Sequence, residues 1–383
     1  MRTADVIGLG TAVPPFRVTQ TEAATFASRL AGHDQHEARR VAMLYRWAGV
    51  KGRHLAVLDR APQGDESASD VQSLFQEPSI AAPDADHSAP DEPRHGPGTA
   101  ARMAFYAERA APLAARAARA ALDDAKTPAR DITHLVTVSC TGFVAPGIDV
   151  ALIRELDLCP CVERVHIGFM GCQGALNGLR VARALATTSP SARVLLTTVE
   201  LCGLHFQHSH DTDLIVADSL FADGAGAVVV CASQDEDERE TGLPWRMRAS
   251  GAGLIPDSLD CLTWNIGDHG FAMTLSPRVP ALIEQHLGPW MRTWLTTQHL
   301  QIADIQSWAI HPGGLRILSA AEKALELDPV VSRTSRDILS TFGNMSSATV
   351  LFVLQRLMAE QAPRPCVALA FGPGLSIEAA LFT

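Results

Sequence analysis

Four stretches between residues 132 and 200 decide the reading of the fold: ITHLVTVSC (132–140), VERVHIGF (162–169), GALNGLRVARALA (174–186) and ARVLLTTVE (192–200). The first, second and fourth are short apolar runs with the look of strands. The third has helical spacing. Strand–helix alternation of this kind predicts an α/β fold. Outward from this block, ADVIGLGTA (4–12) reads as a short strand ending at Pro14-Pro15, and residues 20–47 carry helical patterning. LFADGAGAVVVCA (220–232) turns through small residues into another strand. The second half echoes the first. IQSWAIHPGG (305–314) has the form of ITHLVTVSCTG, and VALAFGPGLSIEAALF (367–382) that of LFADGAGAVVV. The echo predicts a duplicated chain: an N-terminal half over 1–235 and a C-terminal half over 236–383, parted by an acidic run from Asp235 to Glu240.

The 383 residues are 47% hydrophobic and 19% charged, enough apolar matter for a sizeable core, which excludes a largely disordered chain. The formal net charge of −10 argues against a general nucleic-acid binder. Residues 60–99 differ in kind: Pro62, Pro78, Pro83, Pro90, Pro93 and Pro97 stand among acids and few large apolar side chains, which predicts a loosely packed insertion. A helix resumes over 100–125, with Pro112 a break or kink. No run reaches the ~20 apolar residues of a membrane helix, and Asp5 interrupts any apolar start. The eight cysteines are scattered without a CxxC pair, so neither a disulfide framework nor a zinc ribbon is expected, and a reducing cytoplasm is the default.

Three residues sit where strands give way to glycine-rich turns. Cys172, in GFMGCQGALNG, precedes a helix, whose N-terminal N–H groups and dipole favour a thiolate. His311, in WAIHPGG, is placed at the C-terminal edge of a strand, where α/β sheets hold ligands. Asn344, in TFGNMSSATVLFVL, is either a helix N-cap or an amide donor to a developing oxyanion. Each has a bland reading of its own: a buried inert thiol, a hydrogen-bonded structural imidazole, a cap. Together they are a nucleophile, an acid or base, and a donor. Papain-like proteases use the same three types, but their cysteine lies in a CGSCW-like string that is absent here.

With these segments in view, the chain resembles the type III polyketide synthases, the chalcone-synthase-like members of the thiolase superfamily. GFMGCQGALNGLR, LFADGAGAVVV, IHPGG, GNMSSATVLF and FGPGLSIE carry the resemblance over nearly the whole chain. GNMSS and FGPGL separate it from β-ketoacyl-acyl-carrier-protein synthase III, while ELCGLHFQ (200–207) and RHGPGTAARM (94–103) look like bacterial members. The resemblance implies a thiolase-like duplicated five-layered αβαβα architecture and an acyltransferase. Cys172 would hold a starter taken from acyl-CoA, as a thiolate ion-paired with His311. His311 and Asn344 would stabilise the enolate formed as malonyl-CoA loses carbon dioxide. Repeated condensation and cyclisation would give a pyrone, resorcinol or phenol.

The same resemblance implies Phe221 as a gatekeeper, with Met273 where plant members carry a second phenylalanine. Cys140, His205, Trp264 and Ser346 would line the cavity, Trp264 shortening one branch. Gly372, Pro373 and Gly374 would form a rigid turn beside it, after Ala370 in place of a glycine. Ala145 stands where plant enzymes carry a methionine that reaches the neighbouring subunit. Arg40, Arg46, Lys51 and Arg53 fall where the family binds CoA; each could equally be a solvated helix face. No cofactor and no metal are implied, despite His205, His208 and His210 in HFQHSHD, and a homodimer is. Competing readings are a single-round synthase III-like enzyme, a non-catalytic thiolase-fold partner, and a cysteine hydrolase.

Overall fold

The computed structural model describes residues 3–30, 34–61, 68–75, 96–207, 209–233 and 245–383. In chain order the first half gives β1 (Ala4–Ala12), β2 (Arg17–Thr19), α1 (Gln20–Leu30), α2 (Gln35–Trp47), β3 (Gly52–His54), α3 (Thr99–Asp124), β4 (His134–Ser139), α4 (Ile148–Leu156), β5 (Glu163–Gly168), α5 (Gly174–Ala186), β6 (Arg193–Leu201), α6 (Thr212–Leu220) and β7 (Asp223–Ala232). The second gives β8 (Trp245–Leu254), β9 (Leu262–Gly267), β10 (Gly270–Leu275), α7 (Val279–Thr296), β11 (Ser307–Ile310), α8 (Leu315–Leu325), α9 (Arg333–Phe342), α10 (Thr349–Ala359), β12 (Cys366–Gly372) and β13 (Ser376–Phe382).

Nine strands join in the order β11-β12-β13-β8-β1-β7-β6-β4-β5. The two halves meet where β1 pairs antiparallel with β8. Outward from that seam, β1-β7-β6-β4 run antiparallel, antiparallel, parallel. On the other side β8-β13-β12-β11 repeat the same sequence of pairings. The faint echo in the sequence is therefore a repeated strand order, and β5 is an extra edge strand on the first half.

Helices fill the layers according to how much of their surface is apolar. In α10 every residue from Thr349 to Leu354 is buried, and in α5 the residues Gly174 to Leu179 are. A helix apolar all round must be covered all round. Both lie in the centre: α5 touches β4, β6, β12 and β13, and α10 touches β1, β7, β11 and β12. The alanine-rich α3 covers β1, β6 and β7 on one outer face, while α7 and α8 pack on the second half with Trp308, Val367 and Leu369. That is the five-layered αβαβα arrangement. Each buried Leu, Ile or Val in these layers stabilises the fold by roughly 1.5–3 kcal/mol.

Several local expectations change. The helical stretch 20–47 is two helices, the second capped by Asp34, whose carboxylate accepts from the N–H groups of His36 and Glu37. Pro112 does not break α3, which runs unbroken through it. Part of the expected loose insertion is packed: Val71 and Phe75 join the core, where Phe75 meets Phe26 and Phe206 edge-on or nearly so. Residues 62–67 and 76–95 of that insertion, and the acidic run with the boundary at 235, lie outside the described residues. One local disulfide joins Cys159 to Cys161 in the turn before β5, which the spacing had not suggested, and the other six cysteines are free. No described helix is long and apolar enough to cross a membrane.

Candidate active site

Cys172 stands in a single turn between β5 and α5. The chain reaches it through two left-handed residues, Phe169 (φ 56°) and Gly171 (φ 65°). Position 171 admits no side chain, because a Cβ there would lie 2.5 Å from Cδ of Pro373. The Gly372-Pro373-Gly374 turn between β12 and β13 thus braces the nucleophile loop from the opposite half. Ser376 adds a 2.8 Å hydrogen bond to Oε1 of Gln173.

Asn344 is pinned at both ends of its peptide. Its N–H donates to the carbonyl of Leu220 (2.8 Å), and its carbonyl accepts from Ala222 (2.9 Å), so it bridges to Phe221. The side-chain Oδ1 accepts the N–H of Ser346 at 2.9 Å, but the caps of the helical turns that follow are Met345 and Ala348, so Asn344 is not the N-cap. With Oδ1 held, the amide nitrogen is the end of the side chain left for a ligand. The Ser346 hydroxyl lies 3.1 Å from the Cys140 sulfur, and Ser346 lines the same cavity as Cys172.

His311 is 1% exposed, and neither ring nitrogen has a hydrogen-bond partner among the described residues. Buried polar atoms are rarely left so. Burial pushes its pKa down to about 3. Burial likewise pushes the Cys172 thiol up to about 11, against hydrogen bonds from Ser346 and Asn344 that lower it and the Glu200 charge that raises it further. The helix N-terminus therefore does not by itself make a thiolate here, contrary to the expectation from sequence, because desolvation outweighs it. The site resists a lone charge on either group. A proton passed from sulfur to imidazole leaves the pair neutral overall.

The cavity at Cys172 is small, about 50 Å³. Cys140, His205 and Phe221 line it from the first half; Trp264, Met273, Ser346 and Pro373 line it from the second. The alternation of β9 and β10 turns Trp264 and Met273, which pair across the ribbon, inward together. Trp264 donates from its indole nitrogen to the Cys140 carbonyl at 2.7 Å. The ring of His205 stacks on Phe271 at 4.1 Å. Its Nε2 binds the Thr141 carbonyl (2.6 Å), and its Nδ1 accepts the Phe271 N–H (3.0 Å). Both nitrogens being used, His205 has none to offer a metal; His210 binds Glu37, and His208 lies outside the described residues.

Of the four bases read as CoA ligands, Arg53 must be withdrawn. It is 2% exposed, and its guanidinium serves the carbonyls of Asp218, Ser219 and Phe221 and the amide of Gln20. It fixes the gatekeeper loop from inside and cannot reach a phosphate. Arg40 holds the carbonyl of His210 and the Thr212 hydroxyl. Arg46 and Lys51 line a groove between α1 and α2. A separate cavity of about 350 Å³ contains the Gly313–Gly314 turn that follows His311, together with Leu220, Trp47 and Arg316. Arg316, missed from sequence although it stands in the same HPGGLR string, is the cation on its wall.

Glu200 was also missed. It is buried at the end of β6, accepting from the Cys140 N–H (3.0 Å), the Thr141 hydroxyl (2.7 Å) and the Ser347 hydroxyl. Burial raises its pKa to about 6, against those hydrogen bonds. A carboxyl closing the apolar run ARVLLTTVE was the available signal.

Comparisons with known proteins agree with this geometry. A family described as "Chalcone and stilbene synthases, N-terminal domain" matches residues 91–234, and its C-terminal counterpart matches 246–383. The chain is 36% identical over 285 residues to the alpha-pyrone synthesis polyketide synthase-like Pks18 of Mycobacterium tuberculosis, covering 73% of this chain and 72% of that protein. It is 32% identical to the 1,3,6,8-tetrahydroxynaphthalene synthase of Streptomyces peucetius, over 98% of this chain and 92% of the other. The crystal structure of PKS-I from the brown alga Ectocarpus siliculosus superposes with a TM-score of 0.87 at 28% identity, covering 100% and 98% of the two chains.

Proposed function

The chain belongs to the chalcone and stilbene synthase family and is a type III polyketide synthase, an acyltransferase using acyl-CoA and malonyl-CoA; on that premise we propose how its own residues share the work. The observation that supports this division of roles is the pair of unpartnered ring nitrogens on buried His311, at the C-terminal end of β11, in a chain whose Cys172 lines a small cavity.

His311 takes the Cys172 proton, and the thiolate attacks the starter thioester. The departing CoA sulfur recovers that proton, which leaves a neutral imidazole. Malonyl-CoA then places its thioester oxygen against His311 and Asn344. As carbon dioxide leaves, the electron pair passes into the enolate, whose oxygen these donors hold. A carboxylate in their place would repel it. The enolate carbon attacks the acyl group and expels Cys172 as thiolate, ready to take the lengthened chain back. Phe221, at the C-terminal end of α6, and Met273 wall the reacting atoms from water. Glu200, which accepts from Cys140, Thr141 and Ser347, holds the cavity wall at Cys140 in place.

Loss of carbon dioxide drives the sequence, so no metal or organic cofactor takes part. A cytoplasmic setting is part of the proposal; six thiols are free and one local disulfide, Cys159–Cys161, is present, so fractionation of the source cells is the check. The 50 Å³ cavity favours short starters, with Trp264 as the stop. Enzyme dialysed against EDTA, then given acyl-CoAs of increasing length with malonyl-CoA, should yield cyclised products from short starters only. Trp264→Ala should extend the range to longer ones. An unchanged range, or activity that needs a metal restored, would contradict this part of the assignment.

The chain is further proposed to work as a homodimer. β5 is the outermost strand and exposed along its length, and Val165 on it lies near the exposed Phe143, Val144 and Phe169 in sequence and sheet position. An unpaired edge with apolar side chains seeks a partner, and a two-fold axis lets the same edge pair with itself. Ala145, exposed on the adjoining loop, would bring little into the partner's cavity. Light scattering should give twice the mass of one 40.9 kDa chain, and Val165→Arg should halve it. A monomeric wild type would refute the dimer.

A further inference from the structure

Asp218 is a carboxyl facing the substrate cavity that the mechanism above leaves unused. It lies on α6 three residues before Phe221, in a helix whose neighbouring inward residues, Ile215, Ala217 and Leu220, are apolar and buried. Asp218 lines the same cavity as Cys172. Its Oδ2 accepts the N–H of Gln207 at 3.3 Å. Its Oδ1 has no hydrogen-bond partner among the described residues and is not sealed from the cavity. The nearest cations do not consume it. Arg53 and Arg102 act on it through space, but their guanidinium groups are engaged with backbone carbonyls: Arg53 with those of Asp218 itself and Phe221, Arg102 with those of Pro97, Leu204 and Phe206.

The other polar side chains of that wall are at least partly engaged, and none of them is ionisable and free at once. His205 uses both nitrogens on backbone groups. Thr141 donates to Glu200 and accepts from Leu201. The Gln207 amide nitrogen is held by the carbonyls of His205 and Phe271. Thr263 accepts from Asn265. A carboxyl kept only for structure would have both oxygens satisfied. One left half-satisfied on the wall of a substrate cavity suits a ligand group.

Resting on the function proposed above, we infer that Asp218 is a specificity-determining residue: its free oxygen hydrogen-bonds an enol or carbonyl of the β-keto chain growing from Cys172 and sets which folded form of that chain closes into a ring. The chemistry matches. A poly-β-keto thioester carries an oxygen on every second carbon and enolises readily, so it offers both donors and acceptors along its length. Burial raises the Asp218 pKa, against the Gln207 N–H and the two guanidinium charges, so the group can hold a proton and donate as well as accept.

The test compares wild type with Asp218→Asn, which keeps the acceptor for Gln207, and Asp218→Ser, which guards against a misfolded first variant. Four quantities are read: thermal midpoint, acyl transfer to Cys172 by intact mass, carbon dioxide release from malonyl-CoA, and product distribution by mass spectrometry. Loading and carbon dioxide release should stay within about two-fold, while the main cyclised product falls about five-fold or more in favour of shorter lactones or linear acids, the loss of roughly one hydrogen bond between neutral groups. An unchanged distribution at unchanged loading would overturn the inference. So would a parallel fall of all four readings, which marks a purely structural role. Failure of the wild type to release carbon dioxide from malonyl-CoA would instead remove the function on which the inference rests.

Discussion

Cys172→Gln is expected to stop condensation while continuing to release carbon dioxide from malonyl-CoA, and Cys172→Ala to lose starter loading altogether. Without the sulfur there is no covalent acyl-enzyme, and the fall in product should be at least about 10⁴-fold, the scale seen when a nucleophile is removed. Glutamine has a flat amide whose shape stands in for an acylated cysteine. It should leave His311 and Asn344 free to bind the malonyl thioester and polarise it. The site as built allows the separation, because Asn344 is fixed through its own peptide to Leu220 and Ala222, independently of the sulfur. Equal loss of condensation and decarboxylation in Cys172→Gln would contradict the division of roles.

The second large effect concerns the donors. His311→Ala and Asn344→Ala should each lower malonyl decarboxylation by about 10²–10³-fold, the usual loss for one oxyanion donor in a dry site. The two should differ in loading. Asn344 is a neutral amide that takes no proton from the thiol, so its removal should cost loading little. His311 is the proton acceptor, so a His311→Gln variant should move the pH profile of Cys172 alkylation upward, toward the value of about 11 that burial sets for the thiol. Below that value the thiolate fraction falls about ten-fold per pH unit. An alkylation profile identical in wild type and variant would rule out proton transfer between them.

The residues behind these effects were legible for a physical reason. Cys172, His311 and Asn344 each stand where an apolar run ends in glycine or small residues, and such junctions are visible in a linear string. The two halves were legible because short β-branched runs repeat. What escaped was decided by three-dimensional burial. Arg53 in VKGRH looks like any surface base; only the packing of α6 over it makes it an interior tie to the gatekeeper loop. Glu200 and Asp218 are acids within or closing apolar segments, a conflict between residue and surroundings that was readable and was passed over. The cost of burying the Cys172 charge is not visible in sequence, where a helix terminus can be seen and desolvation cannot. The small volume at Cys172 depends on Trp264 and Cys140 meeting from different halves, which no local pattern encodes.

The central claim is that Cys172 holds the starter and that malonyl-derived enolate extends it there. Rapid-quench incubation with a short acyl-CoA, followed by peptide mass mapping and a chase with malonyl-CoA, tests it in one experiment. The expected result is an acyl group on the peptide carrying Cys172, replaced during the chase by chains longer by successive two-carbon units as carbon dioxide is released. Acyl-CoA hydrolysis with no acylated Cys172 peptide and no carbon dioxide would contradict the account.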